Sequence, residues 1–346
     1  MGKLIFFVSW FQPLLSALSP FSTLPIHIRL LLLLLQTFVL LTHTPKYIYW
    51  LIRRLRYHDH SVLYIPTCSN SEIRALVFGN NAAAPLPTLQ PLHLHIHGGA
   101  FLGGLPEYDA PLFAHIAEQT GVVVIATDYR ASPAYPFPAA VEDVEDTIIW
   151  LHTNARTAFN ADVSQLTISG ASAGGTLAYA AAQRFAGTDR EVKGIVSLFA
   201  PVDLRVLPWH KRKPKRFPKY DVTFLLQPLF DLYASQAREV GHTQNPRLSP
   251  ILADPEKLPD DILMIVPTMD VLLDEQLTFA EKLRQCRSKR LDVRLFEEQL
   301  HGFINLPSFM IGPGTRQKAF DAVAAFVRRV QHDGNDVLLA QVHKPA

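Results

Sequence analysis

The fold is decided by the stretch LTISGASAGGTLAYAAAQRF, residues 166–185. Its start, Leu166 to Ser169, has the character of a short buried β-strand, and the alanine-rich part that follows is typical of a helix. Between the two, Gly170-Ala171-Ser172-Ala173-Gly174 is a G-x-S-x-G motif in the strand–turn–helix context that the motif requires. A serine at such a strained turn projects out of the sheet, so Ser172 is predicted to be a nucleophile.

From about residue 62 onward, short β-rich runs alternate with amphipathic helical patterns. This alternation predicts an α/β fold with a mostly parallel central sheet flanked by helices. The predicted strands are Ile73–Phe78, Leu92–His97, Val122–Thr127, Leu166–Ser169, Gly194–Phe199, Ile262–Val266 and Val293–Phe296. The predicted helices are Pro111–Gln119, Ala139–Asn154, Gly174–Phe185, Glu275–Arg287 and Arg316–Val330. The alternation lapses around residues 203–250, where we expect an insertion over the site.

A serine hydroxyl is a poor nucleophile at neutral pH, so a base must accept its proton and a carboxylate must orient that base. Asp270 follows the predicted strand at 262–266, and His301 follows the last predicted strand. The chain order Ser172, Asp270, His301 is that of the α/β-hydrolases, and we predict these three residues to be catalytic. Asp274 is the competing carboxylate, because helical spacing would bring either one near the imidazole.

The segment His97-Gly98-Gly99-Ala100 also lies at the end of a predicted strand. Glycines let the main chain approach a substrate carbonyl closely, so that backbone N–H groups point at its oxygen. The helix that starts after Ser172 adds the N–H of Ala173. We therefore predict an oxyanion hole formed by Gly98, Gly99, Ala100 and Ala173.

The first 60 residues are more apolar than the rest of the chain. They are predicted to be a hydrophobic anchor or cap segment ahead of a catalytic domain at 61–346. A leucine run extends to give a candidate transmembrane helix at about 30–52, close to the ~20 residues that a bilayer core requires. Arginines at both ends favour an uncleaved membrane anchor. The alternatives are a cleaved signal peptide, which would make the protein secreted, and an apolar cap helix.

Charge and cysteine content exclude other classes. The 33 Lys and Arg residues nearly balance the 31 Asp and Glu residues, and no basic stripe appears, so nucleic acid is not an expected partner. The chain has two cysteines, Cys68 and Cys286, too few for a disulfide framework or a thiolate zinc cluster. No metal or cofactor is expected. The oligomeric state is left open.

Taken together, several segments resemble the hormone-sensitive-lipase family of serine esterases, over roughly Leu92 to Val330. They are His97-Gly98-Gly99-Ala100, Asp128-Tyr129-Arg130, Gly170-Ala171-Ser172-Ala173-Gly174-Gly175, Asp270 to Glu275 and His301-Gly302-Phe303. The resemblance implies the α/β-hydrolase fold, oxyanion N–H groups at Gly99 and Ala100, and a triad of Ser172, Asp270 and His301. The family usually has a third glycine where this chain has Ala100 and an acidic residue where it has Ala171.

The resemblance also implies a function: hydrolysis of small, apolar carboxylic esters through an acyl-enzyme on Ser172, with a preference for short to medium acyl groups. An N-terminal anchor before such a domain is similar to arylacetamide deacetylase-type microsomal esterases, which implies the endoplasmic reticulum membrane. The alternatives within the fold are a pathway-specific deacetylase, a lactonase or a dehydratase of secondary metabolism. A non-catalytic small-molecule receptor is a further alternative, disfavoured because all three triad positions are occupied.

Overall fold

The computed structural model describes residues 7–57, 60–79, 89–219 and 224–342. Within them, eight strands form one sheet in the order β1-β2-β4-β3-β5-β6-β7-β8. The strands are β1 His60–Pro66, β2 Glu72–Phe78, β3 Gln90–Ile96, β4 Val123–Thr127, β5 Ala161–Ala171, β6 Gly194–Leu198, β7 Asp261–Pro267 and β8 Arg290–Phe296. Only the β1–β2 and β2–β4 pairings are antiparallel, which confirms the predicted mostly parallel sheet.

Helices cover both faces of this sheet, as expected for parallel strands buried on each side. The helices of the described residues are α1 Gln12–Leu18, α2 Ile26–Tyr57, α3 Ala110–Thr120, α4 Ala139–Phe159, α5 Ala173–Phe185, α6 Gln227–Phe230, α7 Leu232–Glu239, α8 Leu273–Arg284 and α9 Thr315–Val342. One apolar core joins a sheet face to α4, α5 and α8, and the core on the other face joins it to α3 and α9.

Each of the seven predicted strands overlaps an observed one, and β1 is the strand that the prediction missed. Its sequence, HSVLYIP, is interrupted by polar residues, and most of its side chains are only partly buried. An edge strand of this kind lacks the continuous apolar run that marks the buried strands. β5 and α9 are longer than predicted. Polar residues interrupt the apolar pattern within Ala161–Gln165 and after Val330, so the sequence did not indicate that the strand and the helix include these residues.

The N-terminal helices α1 and α2 pack together and against the rest of the fold. Buried Ala17, Ile28 and Leu32 form a cluster with Leu102, from the loop after β3, and with Leu229 of α6. The side chain of Gln36 in α2 accepts a hydrogen bond from the N–H of Leu14 and donates one to the carbonyl of Trp10. These contacts make the N-terminal segment a cap over the carboxyl end of β3.

The structure does not support the predicted transmembrane helix at about 30–52. Among the described residues, no helix is both long enough and apolar enough to cross a bilayer.

The described residues of the segment at 203–250, which leave out 220–223, form short helices and turns, as the lapse of the alternation predicted. Its helix α7 carries the buried Tyr233, whose ring stacks on Phe101 with 4.0 Å between the ring centres. Phe101 follows the predicted oxyanion segment directly. The insertion therefore packs onto the same loop as the N-terminal helices do.

Candidate active site

Ser172 lies at the turn between β5 and α5 in a backbone conformation that serine rarely adopts, with φ 51° and ψ −121°. Such a conformation costs on the order of 1–3 kcal/mol, which the surrounding structure must offset. The N–H of Ser172 donates to the carbonyl of Leu198 at 2.8 Å. A Cβ on Gly170 would lie 2.1 Å from the carbonyl oxygen of Gly174, so this position of the motif accepts no side chain.

The structure brings Ser172, His301 and Asp270 together, although they come from three separate loops. Ser172 Oγ lies 2.9 Å from His301 Nε2, and His301 Nδ1 lies 2.8 Å from Asp270 Oδ2. Because a carboxylate only accepts, Nδ1 carries the proton and donates it, which leaves Nε2 free to accept the serine proton. Asp270 is buried, and its other oxygen accepts a bond from the N–H of Leu272 at 3.0 Å.

The competing carboxylate, Asp274, is directed elsewhere. It lies in the first turn of α8, where its side chain is 44% exposed and pairs with Arg212 at 3.4 Å. The geometry therefore favours Asp270 over Asp274 as the partner of the imidazole.

The charge of Asp270 controls the protonation of His301. Burial would lower the pKa of His301, but the negative charge of Asp270 and its hydrogen bond outweigh burial and raise the pKa above the ordinary value of 6.5. The imidazole keeps part of its surface exposed, as a base that meets substrate and water must. Its pKa direction matters for activity, because only the neutral imidazole can accept the serine proton.

Phe199 is a site residue that sequence reasoning missed. Its ring meets the His301 imidazole edge to face, with 5.1 Å between the ring centres, and its backbone has a left-handed φ of 43°. The N–H of Phe199 donates to the carbonyl of Ile265, which ties the ends of β6 and β7 together. The only signal in the sequence was its position at the end of a predicted strand.

Of the four predicted oxyanion residues, Ala173 directly follows the serine in the chain and Gly98 lies against it. A Cβ on Gly98 would lie 3.4 Å from Ser172 Cβ, and Gly99 has a φ of 135° that favours glycine. Within the described part of the chain, no hydrogen bond uses the N–H groups of Gly99, Ala100 or Ala173. Ala173 is also the first residue of α5, where the helix dipole is positive. These donors remain available to a ligand oxygen.

Ala100 adopts a left-handed conformation, with φ 54°, although it is not a glycine. Its methyl group packs against the cap cluster that includes Leu32 and Leu102. The left-handed backbone of Ala100 is strained, but its methyl group makes a contact with the N-terminal helices that glycine would lack. Ala171, the other departure from the family pattern, is buried in the apolar core of the sheet.

His97 positions the oxyanion loop through two hydrogen bonds of its ring. Its Nδ1 lies 2.6 Å from the carbonyl of Gly98, and its Nε2 lies 3.1 Å from Asp128 Oδ1. Both partners can only accept, so both ring nitrogens donate and the ring is an imidazolium. Burial opposes this charge, but Asp128 outweighs burial and raises the pKa of His97.

Ser9 in the cap donates to the second oxygen of Asp128 at 2.6 Å, a contact that the sequence did not signal.

Within the residues that the structure describes, no group of three or more His, Cys, Asp and Glu side chains is arranged to hold a metal ion.

Comparison with known proteins identifies the family to which the chain is similar. A family model described as the alpha/beta hydrolase fold matches residues 93–305, a stretch that contains Ser172, Asp270 and His301. The chain is 29% identical to the carboxylic ester hydrolase LipN of Mycobacterium tuberculosis, over 68% of this chain and 62% of that protein. It is 40% identical to the arylacetamide deacetylase of Oryctolagus cuniculus, over 28% of this chain and 25% of that protein.

The matched regions thus span less than two thirds of these relatives' own lengths. Among solved structures, the chain is similar to a hyperthermophilic esterase from the archaeon Pyrobaculum calidifontis, with a TM-score of 0.69 and 26% identity. That likeness covers 86% of this chain and 93% of the esterase.

Proposed function

The chain belongs to the alpha/beta-hydrolase family, and on that basis we propose that it is a serine carboxylesterase of hormone-sensitive-lipase type, cleaving esters of small, apolar molecules. The observation that carries this proposal is the unbroken pair of contacts Ser172 Oγ–His301 Nε2, 2.9 Å, and His301 Nδ1–Asp270 Oδ2, 2.8 Å. A nucleophile, a base and an orienting carboxylate are what acyl transfer requires.

The first half of the reaction forms an acyl-enzyme. Ser172 Oγ attacks the ester carbonyl while His301 Nε2 accepts the hydroxyl proton, and the carbonyl oxygen becomes an anion facing the N–H groups of Gly99, Ala100 and Ala173. Collapse of the tetrahedral intermediate breaks the carbon–oxygen bond to the alcohol. His301 returns its proton to the departing oxygen, and the ionised Asp270 stabilises the imidazolium that exists in between.

The second half regenerates the enzyme. A water molecule attacks the acyl carbon and gives its proton to His301 Nε2, and the same N–H groups again face the oxyanion. When the second intermediate collapses, the carboxylic acid leaves and Ser172 Oγ recovers the proton from His301. No group beyond the residues of this chain and water is required by these steps.

The apolar surroundings of the oxyanion segment support an apolar substrate. The stacked rings of Phe101 and Tyr233 lie on one side of this segment, and Leu102 and Leu229 of the cap cluster lie near Ala100. Phe199 covers one side of the catalytic imidazole. Apolar walls with a few placed polar groups are the usual lining of a small-molecule site. We propose short to medium acyl chains on the strength of the family resemblance.

A panel of p-nitrophenyl esters from acetate to palmitate tests this function. We expect saturable release of nitrophenol with the largest kcat/KM among the short and medium chains, since the cap closes over the oxyanion loop. Ser172→Ala protein provides the background rate. Hydrolysis no faster than this background for every ester in the panel would refute the esterase, and lactones or acetylated metabolites would then be the substrates to examine.

We also propose that the N-terminal segment lies on a membrane surface, with the endoplasmic reticulum as the predicted membrane. Several apolar side chains of α2 are at least half exposed and recur at helical spacing on one face: Ile26, Leu30, Leu34, Phe38 and Leu41. Phe21, in the turn before them, is 92% exposed. The first 58 residues contain six basic residues and no acidic one: Lys3, Arg29, Lys46, Arg53, Arg54 and Arg56. Such a segment suits an anionic lipid surface.

Sedimentation with lipid vesicles checks this location. We expect the protein to pellet with vesicles containing phosphatidylserine and to do so several-fold less after the paired change Phe21→Ser and Leu30→Ser, which removes exposed apolar area. The control pair Thr153→Ser and Thr157→Ser, on exposed positions of α4, should bind as the wild type does. Equal sedimentation with and without vesicles would contradict the proposal.

A further inference from the structure

A chain of buried polar side chains runs through the core behind the active site, and the mechanism above does not use it. It begins at Gln331 of α9, continues through β5 and β3, and ends at a carboxylate. The members, all buried, are Gln331, Thr167, His93, Ser169, His95 and Asp109. Successive atoms are 3.3 Å apart for Gln331–Thr167, 2.8 Å for Thr167–His93, 2.7 Å for His93–Ser169, 2.7 Å for Ser169–His95 and 3.2 Å for His95–Asp109.

The two ends of this chain have fixed donors. An amide nitrogen only donates and a carboxylate only accepts, so Gln331 donates to Thr167 and His95 Nε2 donates to Asp109, while the hydroxyls between them can donate or accept. Neutral imidazole fits His93, because burial and the neighbouring His95 lower the pKa of His93 to about 3. Each of these contacts therefore has a donor and an acceptor, and together they direct His95 Nε2–H at Asp109 Oδ2.

Asp109 receives a second hydrogen bond from the loop that carries the catalytic histidine. Asn305 Nδ2 donates to Asp109 Oδ1 at 2.7 Å, across 196 positions of sequence. Burial by itself would raise the pKa of Asp109, but the bonds from His95 and Asn305 overcome burial and lower it, so the carboxylate is ionised. A buried carboxylate with both oxygens satisfied is a rigid anchor, since losing either donor leaves an uncompensated charge.

Asn305 lies four residues after His301, in a short helical turn that starts after Gly302. Its N–H donates to the carbonyl of Gly302 at 2.9 Å, so its side chain and backbone hold the turn at two points. The His301 loop is thus fixed on one side by Asp270 and on the other by Asp109 through Asn305.

We infer that Asp109 is a positioning residue for His301: through Asn305 it fixes the loop that carries the catalytic base, and the His93–Ser169–His95 chain fixes Asp109 in turn. This role rests on the proposed esterase function. It also gives a reason for the alternate histidines in HLHIH, residues 93–97, at the end of β3. His97 supports the oxyanion loop through Asp128, and His95 supports the base through Asp109. One strand thereby positions both halves of the catalytic machinery.

An exchange of the two partners tests the inference. Asn305→Asp alone places two carboxylates face to face, and Asp109→Asn alone removes the charge at the end of the chain. In the double variant Asp109→Asn/Asn305→Asp, the amide at position 109 can accept from His95 and donate to the carboxylate at position 305, so both bonds are restored. Asn245→Asp is the matched control, because its side-chain oxygen only accepts a bond from the N–H of Arg247.

We expect Asn305→Asp to lower kcat for a p-nitrophenyl ester by about 10- to 100-fold with little change in KM, since small displacements of a catalytic group have effects of that size. The double variant should recover to within about three-fold of the wild type, and Asn245→Asp should match the wild type. Should Asn305→Asp fail to fold, Asn305→Ala removes the donor and should lower kcat by about ten-fold per labelled active site.

Wild-type kcat in Asn305→Ala and Asn305→Asp would overturn the inference. So would a loss that the double variant does not recover although its thermal unfolding matches the wild type. These outcomes differ from failure of the proposed function, in which the wild-type protein itself hydrolyses no ester.

Discussion

Replacing Ser172 with alanine should lower kcat/KM for a p-nitrophenyl ester by about four to six orders of magnitude and leave the fold intact. The change removes one oxygen, which is hydrogen-bonded to His301 Nε2, and it leaves the backbone of the turn in place. What activity remains would come from the oxyanion N–H groups and from binding. Steady-state kinetics with a matched thermal unfolding curve measures both parts of the expectation.

Ser164→Ala is the matched control for this variant. Ser164 lies on the same strand, β5, but its side chain is exposed. The activity of Ser164→Ala should therefore equal that of the wild type. If Ser172→Ala retained activity within ten-fold of the wild type, Ser172 could not be the nucleophile.

Replacing Asp270 with asparagine should lower kcat by about 10⁴-fold, because an amide at this position permits the wrong tautomer of His301. It should also move the pH dependence. Wild-type kcat/KM should fall as the pH drops through the raised pKa of His301, above 6.5, since the protonated ring cannot accept the serine proton. Without the carboxylate charge that raises this pKa, the acid limb of Asp270→Asn should lie at lower pH.

A pH–rate profile of each protein measures the position of this limb. Asp274→Asn is the control, because Asp274 pairs with Arg212 and should not affect the imidazole. An acid limb that stays in place in Asp270→Asn, or an equal loss in Asp274→Asn, would contradict the assignment of the orienting acid.

The sequence revealed those parts of the site that depend on local spacing or on chain order. Ser172 could be identified because the strand, the turn and the helix that define it are contiguous. Asp270 and His301 could be identified because they follow predicted strands whose carboxyl ends meet at one edge of the sheet. The choice between Asp270 and Asp274 needed coordinates, because which carboxylate turns toward the imidazole depends on how α8 begins.

Contacts between distant segments could not be predicted. Asn305 and Asp109 are 196 positions apart, and neither belongs to a local motif. The contact of Ser9 with Asp128 joins the cap to the oxyanion loop, and no sequence pattern indicated it either. Only the folded sheet brings such pairs together.

The N-terminal segment shows a different limit of sequence-based prediction. A leucine-rich run has the same composition whether it faces lipid or packs on another helix. In this protein Ile28 and Leu32 pack into the cap, whereas Leu30 and Leu34 on the other side of α2 are at least half exposed. The sequence therefore predicted an apolar helix correctly but not how its two faces are used.

Labelling with a fluorophosphonate probe, followed by mass spectrometry of the digested protein, tests the catalytic assembly most directly. The probe forms a covalent bond with a serine only where a base activates the hydroxyl. We predict a single adduct on the peptide that contains Ser172, formed faster than in Asp270→Asn and absent from Ser172→Ala. A wild-type protein that remains unlabelled, or that carries the adduct on another serine, would contradict the assignment of Ser172, His301 and Asp270 as the catalytic triad.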